Sequence, residues 1–337
     1  MDFTIEFTSG GNHGHQLKDA LGGLTIGRLF NLNYVHTPYG YLDYFGIGYN
    51  HQVVEVKERN SIYKNIIRVE GPLWSGIEDH TEFIEYFEKA LPKNDKDTLV
   101  IFENALRIHP FQTIPWFQEG KLDRDVFSEI QQEISQNFDD QHSLSITKSN
   151  SPIEVAMHIN RGTDYDREKF PHHFTSPFAV RYMFSMDYYE NILIHIEKAY
   201  GKDNVKSRVY TEKENSEDIL ERFDGRKNTT VLIGSDREEK NYEQIHNIFK
   251  AFVEADILVC SNSSFSVMCA YFRKGKKTVY HPHLQLRYLP EPNYVKTDKD
   301  GNLSLELLQQ EINAPLFDVS TTCLLYTSPS PRCLLYT

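Results

Sequence analysis

The sequence predicts an α/β protein built on parallel, doubly wound sheets, and three observations carry that prediction. Short apolar runs alternate with helix-period segments along much of the chain, as strands joined by helical crossovers do. Polar loops rich in Gly, Ser and His follow several of those runs, where open α/β sheets hold their ligands. The length, 337 residues, suits two domains of about 100–200 residues each. The expected division is 1–150 and 151–319, with 320–337 set apart.

The elements follow from local pattern. Phe3 to Thr8 alternates as a strand and Gly10 to Gly14 is a loop. From His15 onward, Leu17, Ala20, Leu21, Leu24 and Leu29 predict a helix with one apolar face. Gly22, Gly23 and Gly27 within it are expected to permit close packing on a sheet. Tyr34-Val35-His36 is the next strand. The result is a βαβ unit whose helix N-terminus offers free N–H groups to an anion. Its Gly11-x-x-Gly14 spacing is neither a dinucleotide fingerprint nor a Walker loop.

Residues 37–95 show little periodicity and predict loops with one helix, Glu82 to Leu91. Leu99 to Phe102 is a buried strand and Phe127 to Phe138 an amphipathic helix. Asp139 to Pro152 is polar and ends in proline, so it is the expected linker. Further strands are expected at Ile153–His158, Arg208–Tyr210, Thr230–Ile233, Ile257–Cys260 and Lys277–Tyr280. Helices are expected at Met186–Tyr200, from a Ser216 cap through Phe223, around Tyr242–Phe252 and at Ser264–Phe272.

Composition narrows the partners. A net charge of −12 argues against nucleic acid or an anionic membrane as the main partner, while leaving room for a small anion in a local basic pocket. Aromatics make up 13%, and both cores and carbohydrate sites use such rings, cores more commonly. No run approaches the roughly 18 apolar residues of a membrane span, and the start lacks a secretory leader pattern. A cytoplasmic location is the default expectation. Of four cysteines, Cys260 and Cys269 suggest neither a disulfide framework nor a zinc spacing. Cys323-Leu324-Leu325-Tyr326-Thr327 recurs at 333–337, which marks the end of the chain as non-native or disordered tail.

Three polar stretches are candidates for chemistry. The strand from Ile153 runs into His158-Ile159-Asn160-Arg161-Gly162-Thr163-Asp164-Tyr165. Arg161 could grip a phosphate with paired charge-assisted hydrogen bonds, or pair at the surface with Asp164 or Asp166. Ser263 and Ser264 stand at a strand-to-helix turn, where serines either cap the helix or donate to a phosphate. Asn12, His13 and His15 lie in a glycine-bounded loop suited to a ligand. Asp-x-Asp occurs at Asp123/Asp125, Asp164/Asp166 and Asp298/Asp300, and only the second is placed to hold a divalent cation. The His pairs at 13/15, 172/173 and 281/283 each supply two ligands and no third, so no metal site is assigned. No nucleophile elbow or Cys/His pair points to a hydrolase.

Taken together, the three stretches resemble the inverting fucosyltransferase superfamily of α-1,2, α-1,6 and protein O-fucosyltransferases. Gly11-x-x-Gly14-His15-Gln16 with Leu21-Gly22 and Leu29-x-Asn31 is similar to its opening helix. His158 to Tyr165 resembles its His-x-Arg loop. Ala255-Asp256 through Ser263-Ser264-Phe265-Ser266 resembles its Ser-x-Ser-Ser-Phe-Ser segment. The resemblance, spanning residues 9 to 280, implies two Rossmann-like domains facing a cleft (the GT-B type), the first on the acceptor side and the second binding the nucleotide sugar. It implies a GDP-sugar donor, GDP-fucose above all, a glycan or glycoprotein acceptor, inversion, and no cofactor or obligatory metal. By that likeness Arg161 and Ser264 hold the diphosphate, with His158, Asn160, Gly162, Ser263, Phe265 and Ser266 around it. Asn12, His13, Gly14 and His15 approach the sugar and acceptor, and Thr211 or Glu212 and Asp236 lie near the nucleoside. The base for the acceptor hydroxyl is open among Asp164, Asp166, Glu168, His13 and His15.

Two positions depart from the family pattern. Asn160 stands where its first arginine is, and His15 where it often has Asn. The alternatives are a catalytically silent glycan- or nucleotide-binding relative, or a metal-dependent sugar transferase using Asp164 and Asp166.

Overall fold

The protein's structure, a computed structural model, describes residues 1–6, 13–70, 80–92, 96–103, 110–143, 152–160, 185–213, 216–234, 242–261, 263–273, 275–281 and 293–310. In chain order the first half holds β1 (Asp2–Glu6), α1 (His13–Leu29), β2 (Asn33–His36), α2 (Gly40–Tyr44), β3 (Gln52–Val53), α3 (Arg59–Ile62), β4 (Asn65–Glu70), α4 (His80–Ala90), β5 (Thr98–Glu103), α5 (Pro110–Gln118) and α6 (Val126–His142). The second half holds β6 (Ile153–Ile159), α7 (Met186–Tyr200), β7 (Val205–Thr211), α8 (Glu217–Phe223), β8 (Thr229–Ile233), α9 (Tyr242–Glu254), β9 (Ile257–Val259), α10 (Ser264–Tyr271), β10 (Lys277–Tyr280), β11 (Tyr294–Lys296) and α11 (Leu305–Gln309).

The strands form two sheets, one of five in the order β3-β2-β1-β5-β4 and one of six in the order β11-β10-β9-β6-β7-β8. Every strand pairing in both is parallel, as the strand–helix alternation predicts. Successive side chains of β6 point to opposite faces. Val155, Met157 and Ile159 enter a core with Tyr189, Ile192 and Leu193 of α7. Ala156 enters the other core, with Phe249 and Phe252 of α9 and Met268 of α10. That second core runs on without a break into Leu17 and Leu21 of α1, Phe127 and Ile134 of α6, and Phe3 and Val100 of the five-stranded sheet.

Helix α1 differs from the expectation of a single apolar face. Every residue from Gln16 to Gly27 is buried, Lys18 and Asp19 included. The helix is enclosed between its own sheet and helices α5, α6 and α10. Gly23 and Gly27 act as expected of close packing: a Cβ on Gly27 would meet the Phe3 ring at 2.1 Å, and one on Gly23 the Ile5 side chain at 2.6 Å.

Several elements were not foreseen. β4 is an edge strand with only Val69 buried, so its Asn-Ile-Ile-Arg-Val-Glu run carries little alternation. α5 contains Pro115, which argues against a helix, although Pro110 suits its first turn. β11 spans three residues, too few to show a period. The expected linker begins inside a helix: Asp139 to His142 complete α6, because His142 packs against Phe138 and Tyr44 at 4.4 and 4.5 Å between ring centroids. The helix ends at Ser143 in the left-handed conformation, φ 51°. Ser216 occupies the N-cap position of α8 without capping it; its hydroxyl donates to the Lys213 carbonyl at 3.0 Å.

Candidate functional site

The second and third polar stretches meet because β6 and β9 are neighbours in register, Met157 beside Val259. One residue further on, the buried His158 faces across to Ser261, with Nδ1 2.9 Å from the serine Oγ. The rings of Phe252 and Phe265 enclose it, their centroids 5.4 and 6.1 Å away. Burial pushes the His158 pKa below its ordinary value, and Glu212 pulls it partly back. The imidazole is therefore neutral at neutral pH.

The turn from Ser261 to Ser266 is tied by its own side chains. Ser263 is the N-cap of α10, its Oγ accepting from the Phe265 amide at 3.3 Å. Its hydroxyl hydrogen stays available to donate elsewhere. Ser266 is fully buried and its hydroxyl bonds back to the carbonyls of Ser261 and Ser263, each at 3.4 Å, which ties the turn. Phe265 packs its half-buried ring near Phe249 and Phe252, both 5.9 Å away. Ser264 is half-buried at the start of the helix.

The first polar stretch reaches the same place. A Cβ on Gly14 would lie 2.6 Å from the Phe265 amide nitrogen and 3.0 Å from the Ser264 carbonyl carbon. Thus the first turn of α1 rests directly on the first turn of α10. His13 and His15 belong to the same turn of α1, and their side chains lie outside the described residues. So do Asn12, Arg161, Gly162, Asp164, Asp166, Glu168 and Asp236.

Two polar atoms at the neighbouring strand ends lack a partner among the described residues: Oγ1 of Thr211, the last residue of β7, and Oδ1 of Asn160, just past β6. Ile159 and Thr211 pair in register, so Asn160 and Thr211 both stand at the carboxyl edge of the sheet. A buried polar atom without a partner is costly, and a ligand atom is one way to satisfy it.

The other Asp-x-Asp pairs have structural work. Asp125 N-caps α6, accepting from the Ser128 amide at 3.1 Å. Asp298 accepts from the amides of Asp300 and Asn302, each at 2.9 Å. Among the described residues, no three His, Cys, Asp or Glu side chains gather as a metal-holding group. Cys260 and Cys269 are free and fully buried, and burial pushes the Cys260 thiol up to about 12 and that of Cys269 well above its usual range. Such thiols are poor nucleophiles at neutral pH. The sequence assigns Ser261 no role of its own, although it is the first serine of the Ser-x-Ser-Ser-Phe-Ser stretch.

No protein-family model matches the chain, and no curated protein matches it. Among solved structures, a mutant of FUT1 from Arabidopsis thaliana in complex with GDP is similar at 8% identity, over 87% of this chain and 72% of that one, with a TM-score of 0.44. The fucosyltransferase NodZ from Bradyrhizobium is similar at 12% identity, over 90% and 97%, with a TM-score of 0.38. ADP-heptose LPS heptosyltransferase II from E. coli is similar at 9% identity, over 97% and 100%, with a TM-score of 0.41. These likenesses are too distant to bear on what this chain binds.

Proposed function

We propose that the protein is a GT-B-type glycosyltransferase that moves a sugar, fucose in the first place, from a GDP-sugar to a glycan or protein hydroxyl with inversion and without an obligatory metal. The observation that carries this is that described residues of all three motif stretches meet: Gly14 packs against Ser264 and Phe265, and His158 bonds Ser261. The helices α1 and α10 begin there, and at the ends of β6 and β7 two polar atoms have no partner among the described residues. Such a place suits a diphosphate, because helix N-termini present N–H groups and positive dipole ends to anions.

The chemistry asks for charge stabilisation more than for a nucleophile. Departure of GDP develops negative charge on its β-phosphate. Arg161, the Ser263 and Ser264 hydroxyls and the amides opening α10 would meet that charge, and losing one preorganised donor of this kind typically costs about a hundred- to a thousand-fold in rate. The acceptor hydroxyl needs a base, which remains open among Asp164, Asp166, Glu168, His13 and His15.

The test is GDP release from GDP-fucose, with GDP-mannose, UDP-glucose and UDP-N-acetylglucosamine as comparison donors, run in EDTA. Release from GDP-fucose that is lost in Arg161→Ala supports the proposal. A preference for UDP donors sinks the fucosyl assignment, and dependence on a divalent cation shifts the chemistry to Asp164 and Asp166. The Asn160 substitution favours one rival, a silent nucleotide-binding relative, for which GDP binds and no donor is turned over.

A further inference from the structure

His158 lies at the end of β6, and the serine that it pairs with lies beyond the end of β9. Between them they join the end of β6 to the turn that opens α10. The imidazole is too enclosed to serve as an exposed ligand group: it is 8% exposed, between the rings of Phe252 and Phe265. Ser261 is 2% exposed, and its carbonyl takes the Ser266 hydroxyl from inside the first turn of α10. Beyond the last paired residues of β6 and β9, the buried hydrogen bond between His158 and Ser261 ties the end of β6 to the start of α10, which on the transferase proposal above border the same diphosphate.

We propose that His158 is a positioning residue: through the Ser261 hydroxyl it holds the start of α10 in register with the end of β6, so that one diphosphate can be met from both. It does this as a neutral ring. A neutral imidazole exchanges a hydrogen bond with a hydroxyl without bringing a charge of its own beside the phosphates. Asparagine can set a polar atom near the position of Nδ1, whereas leucine fills the space and offers none.

The inference rests on the donor-site proposal, and the test separates the two. GDP binding and GDP-fucose turnover are measured for the wild type, Arg161→Ala, His158→Leu, His158→Asn, Ser261→Ala and the double variant His158→Leu/Ser261→Ala. Misplacement of a binding group by about 1 Å can cost on the order of a hundredfold, so a rise in the GDP Kd of about tenfold or more is expected for His158→Leu and for Ser261→Ala. The double variant is expected to be no worse than either single one, because both remove the same bond. His158→Asn is expected to recover most of the affinity. A purely structural role would lower Tm and the folded fraction while leaving the Kd of the folded protein unchanged. That outcome overturns the inference, as do additive losses in the double variant. If Arg161→Ala abolishes GDP binding and His158→Leu does not weaken it, the donor site stands and the positioning role falls. If the wild type binds no GDP, both fall.

Discussion

The Tyr44 ring lies flat on the imidazole of His246, their centroids 3.7 Å apart and their planes 5° apart. The tyrosine hydroxyl also donates to the His246 carbonyl at 3.0 Å, across 202 positions of sequence. This contact joins α2, beside the five-stranded sheet, to α9, beside the six-stranded one. His142 of α6 stands 4.5 Å from the same tyrosine ring, and Glu254 acts on Tyr44 electrostatically. Burial lowers the His246 pKa below 6.5, and the nearby His142 lowers it further. The folded state thus binds this proton less readily than the unfolded chain. The stability linked to it is full above about pH 6.5 and declines as pH falls from there towards the folded pKa. Thermal unfolding between pH 7.5 and 5 should show this decline in the wild type and a shallower one in His246→Gln; parallel profiles would show that the imidazole is not the source.

Gly14→Ala should disturb the contact between α1 and α10 directly. The added methyl meets the backbone of Ser264 and Phe265, which cannot swing aside as a side-chain tip can. Overpacking of this kind costs about 1–3 kcal/mol. Calorimetry should show a lower Tm, and GDP should bind more weakly to the folded protein. An unchanged Tm would mean that α1 and α10 separate easily.

Phe252→Ala removes a fully buried ring that borders His158, Tyr210 and Phe265. Such truncations cost about 3–5 kcal/mol. Urea denaturation should register a loss of that order. Phe252→Leu, which refills part of the space, should lose less.

Arg273 is a buried cation without a carboxylate partner among the described residues. It donates instead to the carbonyls of Phe252 and Val253 at the end of α9, and to those of Asp256 and Lys277. Burial lowers its pKa to about 10, which leaves it charged at neutral pH. It suits a helix C-terminus, where the dipole favours a cation. Arg273→Met strands several buried acceptors at about 1–3 kcal/mol each, so a loss of about 3 kcal/mol or more is expected in chemical denaturation. Arg273→Lys should rescue little, because one ammonium cannot reach all four carbonyls.

What could be read in advance depended on whether the signal was local. The spacing of Tyr242, Ile245, Ile248, Phe249 and Phe252 gave α9, and short apolar runs gave β5, β6, β7 and β9. Edge strands β4 and β11 bury too little to show a pattern, and Pro115 masks α5. At the site, the motif stretches placed Gly14, His158 and Ser263 near one another. The division of labour within them was not legible. Whether a serine caps, ties a turn or faces a ligand depends on a neighbour about a hundred residues away, as Ser261 depends on His158. The contact between Tyr44 and His246 has no local signature at all.

The unbroken core through α1, α6, α9 and α10 has a consequence for motion. Two lobes joined by a bare hinge can rock freely about it. Here a closing movement would have to slide packed helices past one another, and close-packed interfaces permit such shear only in small steps. Heating should accordingly melt both sheets in one cooperative transition, and any ligand held against this core should be enclosed by rearranged loops and side chains more than by a swing of half the molecule.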